Sequence, residues 1–198
     1  MEEIRQPIKQ WDEREDRLRE DIEATLKPED KLLLVLSDSH GDLSSVVDII
    51  TRWENRISAV LFLGDGAEEL LEAAYIFPDL PFYGVSGNND PHIAPNSRLN
   101  FPLENVVEIA GRRIYLTHGH IASYREVEAT VIKRAKINHA DIALHGHLHI
   151  PAAKEIEGIQ LFSPGAIRYP RGGSQRGYLL LKVDAERRVE EYFFTLRK

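Results

Sequence analysis

Lys31-Leu32-Leu33-Leu34-Val35-Leu36-Ser37-Asp38-Ser39-His40-Gly41-Asp42 is the stretch that decides the fold class. An apolar run that short reads as a continuous apolar strand, and the polar cluster with a glycine behind it lies where the strand's C-terminal end should be. An amphipathic helical pattern follows over 43–56. The alternation then repeats: a strand over 59–63, a helix over 67–77 and a strand over 81–86. Apolar strands alternating with helices predict βαβ units and a largely parallel sheet, an α/β fold.

Downstream, segments 106–109 and 113–117 flank Ala110-Gly111-Arg112, the expected turn of a hairpin. A helix is expected over 123–136 and a strand over 141–144. The tail changes character. Segments 153–156, 159–162, 178–183 and 189–195 read as antiparallel strands joined by short turns such as Glu157-Gly158 and Asp184-Ala185-Glu186. Upstream, residues 1–30 read as an amphipathic helical extension to a domain at 31–198. Ile4, Ile8, Trp11, Leu18, Ile22 and Leu26 share one helical face, and Pro28 marks the stop. Glu13–Arg17 and Glu15–Arg19 have the spacing of ion pairs on the exposed side. Such a stripe serves either a partner, including a second copy of the chain, or the helix's own domain.

Composition narrows the function. The chain has 198 residues, enough for one domain with a sizeable core. It has no cysteine, which excludes disulfides, thiolate metal sites and cysteine nucleophiles. The formal net charge of −7 argues against a dedicated nucleic-acid surface. No apolar run approaches the length of a membrane span, and the acidic N-terminal stretch lacks the apolar core of a signal peptide, so a cytoplasmic location is expected.

Five times an apolar strand runs into a short polar cluster: Ser37-Asp38-Ser39-His40, Gly64-Asp65, Gly87-Asn88-Asn89-Asp90, His118-Gly119-His120 and His145-Gly146-His147-Leu148-His149. In open α/β sheets the C-terminal strand edge is where ligands bind. Six of the eight histidines fall in these clusters, a metal-site signal. Asp38 and His40 are two residues apart, as are His147 and His149, so each pair can face one site from an extended segment. Asp38, His40, Asp65, Asn88, His118, His147 and His149 are seven candidate ligands, too many for one tetrahedral ion. Two divalent cations bring four positive charges. Asp38 and Asp65 cancel two, and the remainder suits a hydroxide with an anionic phosphate ester.

These motifs resemble the calcineurin-like metallophosphoesterase superfamily. Gly-Asn-Asn-Asp at 87–90, Thr-His-Gly-His at 117–120 and Gly-His-Leu-His at 146–149 most resemble its small prokaryotic phosphodiesterase branch. The resemblance runs from about Leu32 to the C-terminus. It implies a two-sheet mixed β sandwich flanked by helices. It also implies that Asp38, His40, Asp65 and His149 hold one ion, that Asp65 bridges, and that Asn88, His118 and His147 complete the second. Manganese is the first expectation among manganese, iron, nickel, cobalt and zinc. The implied reaction is hydrolysis of a small phosphate ester, more a diester than a monoester, by metal-bound hydroxide. The alternative is a non-catalytic protein-interaction scaffold of the same fold, since the superfamily includes a retromer-like scaffold subunit.

Bland readings compete at several positions. Asp38 and Asp65 have places suited to helix caps, although Asp42 fits the first cap better. Asn88 suits a turn. His120 belongs either at the phosphate or in a structural role, and Asp90 is expected to orient a neighbouring site group; with Asn88 these form the expected catalytic set. His145 reads as structural, and His92 and His139 as ordinary surface or satisfied histidines. Ser163-Pro164-Gly165-Ala166, followed by Arg168 and Arg171, resembles the last active-site loop, where Arg171 is either a phosphate ligand or a solvated arginine. Many superfamily members carry Gly-Asn-His, with the histidine protonating the leaving group. Asn89 stands there in this chain, and an amide supplies no proton at neutral pH.

Overall fold

The computed structural model describes residues 13–90 and 99–196. Ile4, Ile8, Trp11 and His92 lie outside them. In chain order the elements are α1 (Glu13–Thr25), β1 (Lys31–Leu36), α2 (Leu43–Trp53), β2 (Ile57–Phe62), α3 (Ala67–Ile76), β3 (Phe82–Gly84), β4 (Glu104–Ile109), β5 (Arg112–Thr117), α4 (Val127–Ile137), β6 (Ile142–His145), β7 (Pro151–Ile156), β8 (Ile159–Pro164), β9 (Gly177–Val183) and β10 (Val189–Thr195). The strands form two mixed sheets, ordered β10-β9-β1-β2-β3 and β4-β5-β6-β8-β7.

Strand periodicity builds the layers. Leu32, Leu34 and Leu36 of β1 face the helices with Ile49, Ile50 and Trp53 of α2. Leu33 and Val35 face the other way and meet Ile114, Leu116, Ile142 and Leu144 of the second sheet. The far side of that sheet buries Tyr115, Ala143 and Leu161 under Val127, Val131 and Ala135 of α4. Helices, sheet, sheet and helix thus stack as four layers, and β1 is apolar throughout because both its faces are covered.

The sheets are mixed where the pattern predicts largely parallel. β1, β2 and β3 are parallel, as are β5, β6 and β8; β9, β10, β4 and β7 add antiparallel edges. The tail strands divide between the sheets, and β8 departs from the antiparallel expectation by pairing parallel with β6. The cause is the hairpin turn at Glu157-Gly158, both residues at positive φ, which folds β7 outward and leaves β8 beside β6. Ala110-Gly111 makes the other two-residue turn, so Arg112 already belongs to β5. The third strand is shorter than expected, and α4 starts at Val127 because Ser123 and Glu126 close a turn ahead of it.

α1 packs on its own domain. Ile22 is 2% exposed within the helix-side core, with Leu18 and Leu26 packed against it. Glu15 does not pair with Arg19. It is buried, and its Oε1 accepts from the Thr195 backbone N–H at 3.2 Å and hydroxyl at 2.7 Å, while Arg19 pairs with Glu23. Glu13–Arg17 forms as expected, at 3.8 Å on the surface. Asp16 binds Arg52 of α2 at 2.7 Å. Ile22→Ala is therefore expected to lower unfolding stability by about 2–5 kcal/mol, read from the urea midpoint, with metal content unchanged in the folded protein.

Candidate metal centre

The parallel strands of both sheets end at one edge. There β1 and β2 deliver Asp38 and Asp65, β5 delivers His118, and β6 leads into His147 and His149. Five of these residues take left-handed backbone conformations: Asp38, His40, Asp65, His147 and His149 have φ between 45° and 65°. For residues with a Cβ that costs roughly 1–2 kcal/mol each, least for aspartate. The turns are held from outside. Asp38 N–H donates to Gly64 O and His40 N–H to Asp65 O, both at 3.0 Å. Glu69 accepts from the Ser39 hydroxyl at 3.1 Å and from the Gly41 N–H. Arg168 Nη1 donates to His40 O at 2.7 Å. Gly64, at φ 94°, and Gly146 are required by close approach. A Cβ on Gly64 would lie 2.7 Å from His118 Nδ1, and one on Gly146 would collide with Ser37 and Asp38.

Two overlapping donor groups result, Asp38–His40–His149 and Asp38–Asp65–His118, each with its ligand atoms within 4.8 Å of one another. Asp38 Oδ1 lies 3.0 Å from His149 Nε2. Asp65 Oδ2 lies 3.7 Å from His40 Nε2 and 3.5 Å from His118 Nε2, so it faces both groups. His147 stands beside them, its ring 5.1 Å from that of His118. Asn88 is exposed on the same turn as Asn89.

Second contacts set which atoms point inward. His118 Nδ1 meets Leu63 O at 2.6 Å and His149 Nδ1 meets Tyr169 O at 2.7 Å. A carbonyl only accepts, so each Nδ1 carries a hydrogen and each Nε2 faces the carboxylates. Asp38 Oδ2 is engaged by the Ser37 hydroxyl at 2.5 Å and His147 N–H at 3.2 Å, leaving Oδ1 inward. Asn89 gives Asp65 two hydrogen bonds, backbone N–H to Oδ1 at 2.8 Å and Nδ2 to Oδ2 at 2.6 Å.

The electrostatics suit a cation. Burial raises the Asp65 carboxyl, but the hydrogen bond and charge of His118, with the Asn89 donors, outweigh it and hold the group well below the usual carboxylate range. Burial lowers His118 and His149, yet Asp65 and Asp38 override it for the first and Asp38 for the second, raising both. Asp38 Oδ1 and His118 Nε2 are buried and face the opposite donors, His149 and Asp65, at 3.0 Å and 3.5 Å, with no other hydrogen-bond partner among the described residues. Inward lone pairs on imidazole and carboxylate, in a field that favours positive charge, fit divalent metal ions.

Asp90 has a defined task. Its carboxylate accepts from four backbone N–H groups, those of Asp65, Gly66, Ala67 and Gly87, at 2.6–2.8 Å. Gly66 has no side chain to cap α3, and Asp90 supplies that cap from the next loop. Asp42 caps α2 through Ser45 N–H at 3.1 Å. His120 is half-buried, its ring 5.4 Å from that of His118 and its Nδ1 without a partner. His145 is fully buried, and burial lowers its pKa, in keeping with a neutral structural ring. His139 is exposed just beyond the end of α4, and Arg171 is exposed with its backbone N–H on His149 O. Glu69 and the Tyr169 carbonyl are positioning contacts that no sequence spacing announces, because each joins loops distant along the chain; Arg168, marked by its place in the last loop, joins them through His40 O.

A profile of the calcineurin-like phosphoesterase superfamily domain matches residues 32–186. The chain belongs to that superfamily. It is 31% identical over 174 residues to phosphodiesterase YfcE of Escherichia coli strain K12, covering 77% of this chain and 88% of the relative. A predicted phosphoesterase from Streptococcus pneumoniae TIGR4 superposes with TM-score 0.65 at 26% identity, over 83% of this chain and 98% of that one. Vacuolar protein sorting 29 from Cryptosporidium parvum shares the fold with TM-score 0.61 at 19% identity, over 84% and 99%.

Because four N–H groups depend on Asp90, Asp90→Ala is expected to cost about 2–3 kcal/mol of stability. It is also expected to weaken metal binding about 10–100-fold by releasing the Asp65 turn. Denaturation and calorimetric titration with manganese check both; unchanged metal affinity would separate the cap from the centre.

Proposed function

We propose that the chain is a binuclear, divalent-metal-dependent phosphodiesterase acting on a small phosphate diester. The observation that carries this reading is Asp65 Oδ2, set 3.7 Å and 3.5 Å from a histidine of each donor group. Asp38, His40, Asp65 and His149 are assigned to one ion; Asp65, Asn88, His118 and His147 to the other. Manganese is the first choice, with iron, nickel, cobalt and zinc compatible with the same imidazole and carboxylate donors. The name of the YfcE relative supports the diester assignment. The chemistry that such a pair supplies when bound is activation of water and neutralisation of phosphate charge.

The chain's residues do the rest. Ser37, Asn89 and the Leu63 and Tyr169 carbonyls fix the orientation of the ligand side chains before substrate arrives, so little reorganisation accompanies reaction. Asp90 acts as a positioning residue, its oxygens turned to backbone rather than substrate. Burial lowers the His120 pKa, which favours a neutral ring to hydrogen-bond the phosphate. The Asn89 amide is engaged by Asp65 and donates no proton to a leaving group.

The scaffold alternative draws on the fold shared with vacuolar protein sorting 29. The full set of seven candidate ligands in this chain supports the enzyme. The test is hydrolysis of bis(4-nitrophenyl) phosphate with added manganese. Asp65→Asn is expected to reduce turnover at least about 100-fold and to lower the bound-metal stoichiometry. A variant that keeps two ions and near-normal turnover would sink the bridging assignment.

A second measurement reads the leaving group. A positioned acid contributes about 10²–10⁴-fold, most for poor leaving groups. With Asn89 in place of a histidine, the rate on a series of aryl and alkyl diesters is expected to fall steeply as leaving-group pKa rises. A shallow slope would give the acid role to His120.

A further inference from the structure

Tyr169 lies between β8 and β9, at the side of the centre formed by His40 and His149. Its φ is 60°, and a bulky residue is rare there. Its carbonyl is what His149 Nδ1 bonds, so the backbone conformation serves the centre. The side chain needs a separate reason. Gly165, Gly172 and Gly173 take positive φ in the same loop without strain, and a glycine at 169 would present the same carbonyl. The ring is not there for the core, because Tyr169 is 56% exposed.

The ring is nevertheless held in place. Its centroid is 5.6 Å from that of His40. The Arg168 guanidinium sits 4.7 Å from it, and Arg168 is itself tied to His40 O. An exposed aromatic ring held by a cation, 5.6 Å from the ring of an assigned ligand, offers a stacking surface at the rim of the centre. We propose that Tyr169 is a specificity-determining residue, and that the substrate carries a planar aromatic ester group, aryl or nucleoside, which stacks on its ring. This rests on the phosphodiesterase reading of the same centre.

The experiment measures binding rather than turnover, so it separates the two proposals. Phenyl phosphate, adenosine 5′-monophosphate and methyl phosphate are titrated calorimetrically into the manganese-loaded full chain, with metal content determined in parallel. Stacking of this kind is expected to make at least one aromatic monoester bind about tenfold or more tightly than methyl phosphate. Tyr169→Phe keeps the preference and Tyr169→Ala removes it, both with unchanged metal content. A Tyr169-dependent gain for the nucleotide identifies a nucleoside arm; a gain for phenyl phosphate alone identifies a simple aryl arm. Equal binding of all three probes overturns the proposal. So does a Tyr169→Ala variant that keeps the preference, or one that loses metal, which would make the ring a support for His40. Binding with the expected preference but no diester hydrolysis would leave the stacking surface standing and remove the hydrolase reading.

Discussion

Two buried carboxylates, Asp38 and Asp65, converge where the edges of the two sheets meet, and the rest of the centre is arranged around the charge they bring. Burying a carboxylate is costly unless hydrogen bonds and positive charge compensate. The hydrogen bonds come from Ser37, the His147 N–H and both donors of Asn89. The inward histidines supply positive charge only when protonated, and the same field that raises His118 and His149 attracts a divalent ion more strongly. The carboxylates thus account for why imidazoles gather there, while the Leu63 and Tyr169 carbonyls set which way the Nε2 atoms of His118 and His149 point.

The sandwich makes that convergence affordable. β1 and β5 belong to different sheets, yet their C-terminal ends meet because the packed inner faces hold the sheets in one orientation. Loops at the edge are tied to helices behind them, through Glu69 on α3 and through Arg176, which binds Asp42 at the start of α2. α1 extends the same support: Glu15 is fastened to β10 and Ile22 lies in the helix-side core. The buried ligands are therefore tied from several sides, while Tyr169 stands exposed at the rim and His120 half-buried.

Much of this was legible in the sequence. Strand and turn residues repeat in a fixed order, and histidines collect at strand ends, so the ligand clusters and the first βαβ units follow from Leu32–Leu36 and its successors. The pairing of β8 with β6 was not legible, because a short apolar run carries no record of which neighbour it joins or in which direction. Glu15 differs for a related reason: helical spacing pairs it with Arg19, whereas its partner Thr195 is at the far end of the chain. Asp90 shows the same limit. Its position in Gly-Asn-Asn-Asp marks it as part of the site, but only the fold shows its oxygens turned to four backbone N–H groups.

The left-handed turns bear on what the centre is for. Five non-glycine residues in that region carry a cost on the order of 5–10 kcal/mol together, taking roughly 1–2 for each. A whole domain is commonly stable by only about 5–15 kcal/mol. Aspartates and histidines aimed inward from strained turns suit the binding of an ion. A bound ion returns part of the cost, since a ligand that binds only the folded state adds stability as RT ln(1 + [L]/Kd). Metal binding and folding of the edge loops are then one linked equilibrium. Replacing a ligand raises two opposed effects, loss of the ion and relief of local strain, so stability and metal affinity need not fall together. The strained backbone and the candidate metal donors thus coincide at the same few residues of an otherwise regular sandwich.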